Sequence, residues 1–229
     1  MSKHIYLISG LGADDRVFGN LEFPAGYETH YLPRIKPAGP DESIEAYAAR
    51  MAQSIQHPNP ILLGLSFGGM MCVEIARFLE TEKVILLSSI KHRKERPPYY
   101  RYNLLSKFVL TKVPDRLLFG RRRLIVEYFL QTETKYELQL VREYLAKKDY
   151  AYTRWAMSAI CQWKNDWMPE RVVHIHGTKD RPFPIRYLQP THRINGGGHF
   201  MVLNRAEEIN RIIKESLEIN GQPLFSTSL

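Results

Sequence analysis

The feature that most constrains this chain is a junction. Pro60-Ile61-Leu62-Leu63, apolar enough for a strand buried on both faces, runs without a break into Gly64-Leu65-Ser66-Phe67-Gly68-Gly69, and residues 70–79 then follow a helical pattern. A backbone that turns from strand to helix within so few residues strains the residue at the apex, and it crowds the positions two residues to either side. Glycine at 64 and 68 removes the side chains that would collide there. The following helix aims its N-terminal dipole at the turn.

The remaining pattern extends this unit into a sheet. Short apolar runs at 4–9, 27–32, 83–88, 172–176 and 191–194 read as further strands, the second of them polar and ended by Pro33. Residues 43–56 and 205–219 carry apolar side chains at helical spacing, the first with Asp41 or Ser43 as its cap. Alternation of this kind predicts an α/β protein with a mostly parallel sheet of about six strands and helices on both faces. No internal repeat interrupts it. At 229 residues the chain is long enough to bury ~70–75% of its unfolded surface, so neither disulfides nor a structural metal are needed.

Charge marks an insertion. The net charge is +8, yet residues 91–167 hold 17 Lys and Arg against 8 Asp and Glu, a balance of +9, and the rest of the chain is left at −1. The same segment reads as helices throughout, at 99–110, 121–130, 133–145 and 152–163, and prolines at 97, 98, 114 and 169 punctuate it. The expected organisation is a core of residues 1–90 and 168–229 with an all-helical insertion at 91–167. Its aromatic and aliphatic residues, among them Tyr99, Tyr100, Tyr102, Leu105, Phe108, Trp155, Ile160 and Trp163, read mainly as its own core. Arg121-Arg122-Arg123 reads as a solvated face.

A serine is a poor nucleophile until a base takes its proton, and Gly-x-Ser-x-Gly at a strand-turn-helix junction is one way to expose it. Partners in the chain order Ser, then Asp or Glu, then His are present. Asp180 follows the strand at 172–176 through Gly177-Thr178-Lys179, and His199 follows the strand at 191–194 through Asn195-Gly196-Gly197-Gly198. Taken singly, Asp180 reads equally as a turn carboxylate and His199 as a loop histidine.

Together with Ser9-Gly10-Leu11-Gly12 after the first strand and Gly197-Gly198-His199-Phe200, these segments resemble the α/β-hydrolase superfamily over nearly the whole chain. The resemblance implies Ser66 as nucleophile, His199 as general base, Asp180 as its orienter, and the helical insertion as a cap. It places the oxyanion hole at the backbone N–H groups of Leu11 and Phe67. Two departures stand out: the chain begins at the family's third strand, and Ser9 occupies a position where many members carry His. An Asp at position 66 would have pointed to a dehalogenase or epoxide hydrolase. The implied activity is cleavage of a small-molecule carboxylic ester or thioester through an acyl-enzyme and with no cofactor, and the basic insertion favours an anionic substrate.

The alternative is a lyase or non-catalytic protein of the same fold whose basic insertion grips an anionic partner. No nucleic-acid motif accompanies the charge, and no nucleic-acid partner is expected. No run approaches a membrane span, and the N-terminal apolar run is too short for a signal peptide. Cys72 and Cys161 form no short pair, so a reducing, cytoplasmic setting is expected, with Cys72 buried and inert. His174 and His176 alternate on one strand without further ligands at suitable spacing and read as core histidines, so no metal is expected. Asp14-Asp15-Arg16 reads as a helix cap. The sequence leaves oligomeric state open.

Overall fold

The computed structural model describes residues 2–100, 104–118 and 122–218. Six strands, β1 (Lys3–Ile8), β2 (Tyr27–Tyr31), β3 (Ile61–Leu65), β4 (Lys83–Leu87), β5 (Val172–Gly177) and β6 (His192–Ile194), form one wholly parallel sheet in the order β2-β1-β3-β4-β5-β6. Parallel strands need crossovers, and helices on both faces supply the covering that such a sheet requires. Period-two alternation divides the strand residues between two cores. Tyr6, Ile8, Leu62, Val84 and Leu86 pack beneath α1 (Ile44–Ala52) and α2 (Phe67–Ile75). Ile5, Leu7, Leu63, Ile85, Leu87, Val173 and Ile175 face the other way, toward α9 (Ala206–Glu218), the C-terminal helix.

Local chemistry sets the helix starts. Ser43 caps α1 by accepting from the Ala46 N–H at 3.1 Å, which makes it, and not Asp41, the cap. Between β4 and β5 lie α3 (Leu104–Lys112), α4 (Asp115–Leu118), α5 (Arg122–Leu130), α6 (Lys135–Ala146) and α7 (Tyr150–Gln162). Thr134 caps α6 through the Glu137 N–H, and the Glu137 carboxylate returns to accept from the Glu133 N–H at 2.7 Å, a capping-box arrangement. One turn the periodicity missed is α4, and another is α8 (Met201–Asn204); four residues are too few to print a period.

The helical insertion is welded to the body. Leu140 and Val141 of α6 join one core, while Tyr152, Trp155, Ala156, Ala159 and Ile160 of α7 join the other. Trp155 packs at 4.3 Å between ring centroids from Tyr47 and donates its indole N–H to the Glu42 carbonyl. Trp163, 1% exposed, donates to the Glu74 carboxylate at 2.7 Å, and Arg77 lies 3.0 Å from the other carboxylate oxygen. Arg96 closes the end of α7 by donating to the carbonyls of Ile160, Cys161 and Trp163.

Of the residues expected to form the insertion's own core, Trp155, Ile160 and Trp163 are instead part of the main core. Tyr99 and Phe108 are more than half exposed. Tyr102 lies outside the described residues, as do Arg121 and the side chains of Leu105, Arg122 and Arg123. Cys72 and Cys161 are buried free thiols, and burial pushes the Cys72 thiol well above its ordinary value.

Burial also pushes the Glu74 carboxyl up, offset only in part by the Trp163 N–H and Arg77. Trp163→Phe keeps most of the ring but leaves that buried acceptor without its donor, so unfolding in urea should show a loss of about 1–3 kcal/mol. A loss below ~0.5 kcal/mol would mean that the indole bond contributes little to holding α7 on α2.

Candidate active site

The site is assembled at the edge where the strands end. Register pairs Ile8 with Gly64 and Gly177 with Ile194, so the segments leaving β1, β3, β5 and β6 emerge side by side. At the end of β3 the chain turns through Ser66, whose φ of 55° and ψ of −119° lie in a region that residues with a side chain rarely occupy. The surroundings enforce this conformation. A Cβ on Gly64 would strike the Gly68 carbonyl group, and one on Gly68 would strike the carbonyl oxygens of Ile8 and Ser9. Ser66 N–H donates to the Leu87 carbonyl at 2.9 Å, and Ser89 Oγ donates to the Ser66 carbonyl at 2.6 Å.

The three residues singled out by motif and chain order converge. His199 Nε2 stands 2.9 Å from Ser66 Oγ, and its Nδ1 stands 2.7 Å from Asp180 Oδ2. An ionised carboxylate only accepts, so the proton belongs on Nδ1 and the lone pair of Nε2 faces the serine hydroxyl. Asp180 and His199 are both buried, whereas Ser66 is partly exposed. A second close approach of glycines brings their loops together: a Cβ on Gly177 would strike the Gly197 carbonyl, which accepts from the Lys179 N–H at 2.9 Å.

Supporting groups that the sequence did not disclose hold this arrangement. The second Asp180 oxygen accepts from the Phe183 N–H at 2.7 Å, and the Phe183 carbonyl accepts from His176 Nε2 at 2.8 Å. The peptide of Phe183 is thus held at its N–H by one member of the site and at its carbonyl by a strand histidine. Burial lowers the affinity of His176 for a proton, offset in part by Asp180 and by the bond to the Phe183 carbonyl. His174 is likewise buried and bonded through Nε2 to the Ser89 carbonyl at 3.0 Å, in agreement with the reading of both as core histidines.

The loop after β1 passes directly over the turn. A Cβ on Gly10 would sit 3.2 Å from Ser66 Cβ, so the backbone just before Leu11 closes on the turn from which Phe67 starts α2. Phe67 opens α2 and has no intrahelical acceptor four residues back. Ser9 donates to the Ala13 carbonyl at 3.1 Å and pairs with Tyr31 Oη at 2.9 Å, which fixes this loop from beneath. Asp14 caps the short turn at Asp15–Phe18 as expected, and it also receives Tyr144 Oη and Lys147 Nζ from α6. Burial opposes its ionisation, but hydrogen bonds from Arg16, Lys147 and Tyr144 outweigh that and hold the carboxyl well below its ordinary value.

The inserted segment reaches the site on the opposite side too. Phe200 N–H donates to the Leu130 carbonyl at the end of α5, and Tyr100 packs on Phe183, whose ring lies 5.9 Å from that of His199. Behind Asp180 a groove of about 480 Å³ is lined by Tyr99, Tyr128, Phe129, Lys179, Arg181 and Arg186 among others. Neither Ser66 nor His199 lines it. Three of its cations, Lys179, Arg181 and Arg186, come from the β5–β6 connection, outside residues 91–167.

A serine hydroxyl, an imidazole and a buried carboxylate linked at hydrogen-bond distances are groups that acyl transfer can use. The comparisons with known proteins agree on the fold. An N-acyl homoserine lactonase, AidH, crystallised with N-butanoyl homoserine, superposes with a TM-score of 0.69 at 16% identity over 97% of this chain and 92% of its own. The epoxide hydrolase of Bacillus megaterium gives 0.70 at 14% identity over 95% and 94%. A thermophilic esterase from Thermogutta terrifontis gives 0.64 at 15% identity over 95% and 90%. No curated protein sequence matches. The model of the Alpha/beta hydrolase family matches residues 5–212, nearly the full length of the described fold, and the chain belongs to that family.

Proposed function

We propose that this chain is a serine hydrolase of carboxylic esters or thioesters that works through an acyl-enzyme. The observation that carries this reading is the continuous chain of contacts from Ser66 Oγ through the His199 imidazole to buried Asp180, at 2.9 and 2.7 Å. Ser66 Oγ attacks the carbonyl carbon as His199 Nε2 takes its proton. The negative charge that develops on the carbonyl oxygen is met by the N–H groups of Phe67 and Leu11. His199 then returns the proton to the departing alkoxide or thiolate. Water, deprotonated by the same imidazole, attacks the acyl carbon and releases Ser66. Asp180 stabilises the imidazolium in both halves and keeps Nδ1 as the protonated nitrogen. The activities of two structural neighbours, a lactonase and an esterase, support the class, since a lactone is a cyclic ester.

In this reading residues 91–167 form the cap over a core of 1–90 and 168–229, supported by the contacts of Tyr100 and Leu130 with the Phe183 and His199 loops. The setting is a reducing cytoplasm, supported by two buried free thiols. No helix among the described residues is long and apolar enough to cross a membrane. The substrate is anionic. Support comes from the +9 balance of the inserted segment and from Lys179, Arg181 and Arg186 around the groove behind Asp180.

Ser66→Ala should remove ester hydrolysis by at least ~10³-fold in kcat while leaving the unfolding curve in place. Activity within tenfold of the parent would remove Ser66 from the mechanism. Asp180→Asn should lower kcat by ~10³–10⁴-fold with little change in KM, because it forfeits orientation and imidazolium stabilisation and keeps the binding surface. A nearly active variant would mean that another carboxylate orients His199. For an anionic acyl donor, kcat/KM should fall steeply between low and physiological salt, while a short neutral ester should scarcely respond. Arg186→Glu should flatten that slope, and equal slopes for the two substrates would refute the anionic assignment.

A further inference from the structure

At the far end of the sheet from Ser66, three histidines that take no part in the proposed chemistry come together. His4 is the second residue of β1, His30 lies on the neighbouring edge strand β2, and His57 belongs to the connection from α1 to β3. Four residues of strand, ~13 Å, separate His4 from the end of β1 where the catalytic loop begins. His4 Nδ1 is 3.0 Å from His30 Nε2, and the rings of His4 and His57 stack with centroids 3.5 Å apart. One ring nitrogen from each lies within 4.8 Å of the other two, and all three residues are half-buried. No other group of three such side chains is gathered in this way among the described residues.

We propose that His4, His30 and His57 form a binding site for a divalent transition-metal ion of the zinc class, independent of the hydrolytic centre. Three neutral imidazoles are borderline-soft nitrogen donors that suit Zn²⁺, Ni²⁺ or Cu²⁺ and not Mg²⁺ or Ca²⁺. Tetrahedral zinc with bonds of ~2.0–2.1 Å sets its ligand nitrogens ~3.4 Å apart, close to the His4–His30 separation, and rotation of the half-exposed His57 ring closes the third side. A fourth ligand stands ready. Glu28, the register partner of His4 on β2, holds a carboxylate oxygen 3.8 Å from His4 Nδ1.

The surroundings also supply an outer partner of the kind metal-bound histidines use. Tyr6 Oη lies 2.7 Å from His57 Nδ1 and is itself fixed by the Gln56 N–H at 3.1 Å, a hydrogen-bond partner about which the His57 ring can swing toward the ion. A bound ion would tie β1 to β2, an edge strand that buries none of its residues fully, and to the chain entering β3. Separations of 26 and 27 residues leave no linear signature of this cluster in the sequence.

The untagged full-length chain, stripped with a chelator and then dialysed free of it, is titrated with Zn²⁺ against a chromophoric competitor, and its thermal unfolding is followed in parallel. The expected result is one equivalent of tightly bound Zn²⁺ and a raised Tm, with no response to Mg²⁺. His30→Ala and His57→Gln should each weaken binding by more than ~10-fold, a loss that even outer partners of a metal can cause, and abolish the Tm shift. His57→Gln sits in a loop and preserves the strands, so it separates loss of a ligand from loss of fold. Absence of stoichiometric Zn²⁺ binding, or binding unchanged in both variants, would overturn the site and leave the three rings as a stacked hydrogen-bonded cluster.

Discussion

The strained backbone of Ser66 is the constraint on which the rest of the arrangement depends. A left-handed φ at a non-glycine residue costs on the order of 1–3 kcal/mol and persists only where its surroundings over-determine it. Here the surroundings are the body of the fold: β3 delivers the chain, α2 begins at once, and the backbones of Gly64, Gly68 and the β1 loop pack so closely that no Cβ fits between them. This packing lifts Oγ out of the sheet edge toward His199 and brings the Gly10-Leu11 peptide over the same point. Ser89, which holds the Ser66 carbonyl and fills the space opposite Gly69, completes the clamp. The strain is thus balanced by the two hydrophobic cores that hold β1, β3 and α2 in place.

A second consequence concerns the insertion. An all-helical segment carrying most of the positive charge suggests a detachable lid, yet α7 contributes two tryptophans' worth of contact to the main core and ends in bonds to Glu74 and Arg96. On the other face, α6 grips the loop after β1 through Asp14. The same loop carries Leu11, so the position of the proposed oxyanion donor is linked to the insertion through hydrogen bonds from Tyr144 and Lys147. The insertion reaches the site by bracing both of its flanks.

Much of this was legible in the sequence because it rests on local rules. Five of the six strands follow from apolar runs bounded by turns, the polar second one from its place before Pro33, and the strained turn at Ser66 follows from two glycines flanking a serine at a strand-to-helix step. Chain order and a place after strands single out Asp180 and His199, which the fold brings to hydrogen-bond distance of each other and of Ser66. The supporting shell was not legible. Tyr31, Ser89, His176 and the Phe183 peptide act through contacts between residues up to tens of positions apart, and nothing in their own neighbourhoods marks them. Lys179, Arg181 and Arg186 are a different case: they stand together in sequence with Asp180 as the one acid among them, and their charge disappears only in the −1 balance taken over residues 1–90 and 168–229 together. Tyr99 and Phe108 were misjudged because helical spacing identifies a face but not whether anything covers it.

The central claim is that Ser66 is a nucleophile activated by His199, and covalent trapping tests it most directly. Incubation with a fluorophosphonate followed by intact-mass and peptide mapping should give one adduct, on Ser66, formed at a rate that drops by orders of magnitude in His199→Ala while the fold is retained. No adduct, an adduct on another residue, or equal labelling without the imidazole would contradict the account.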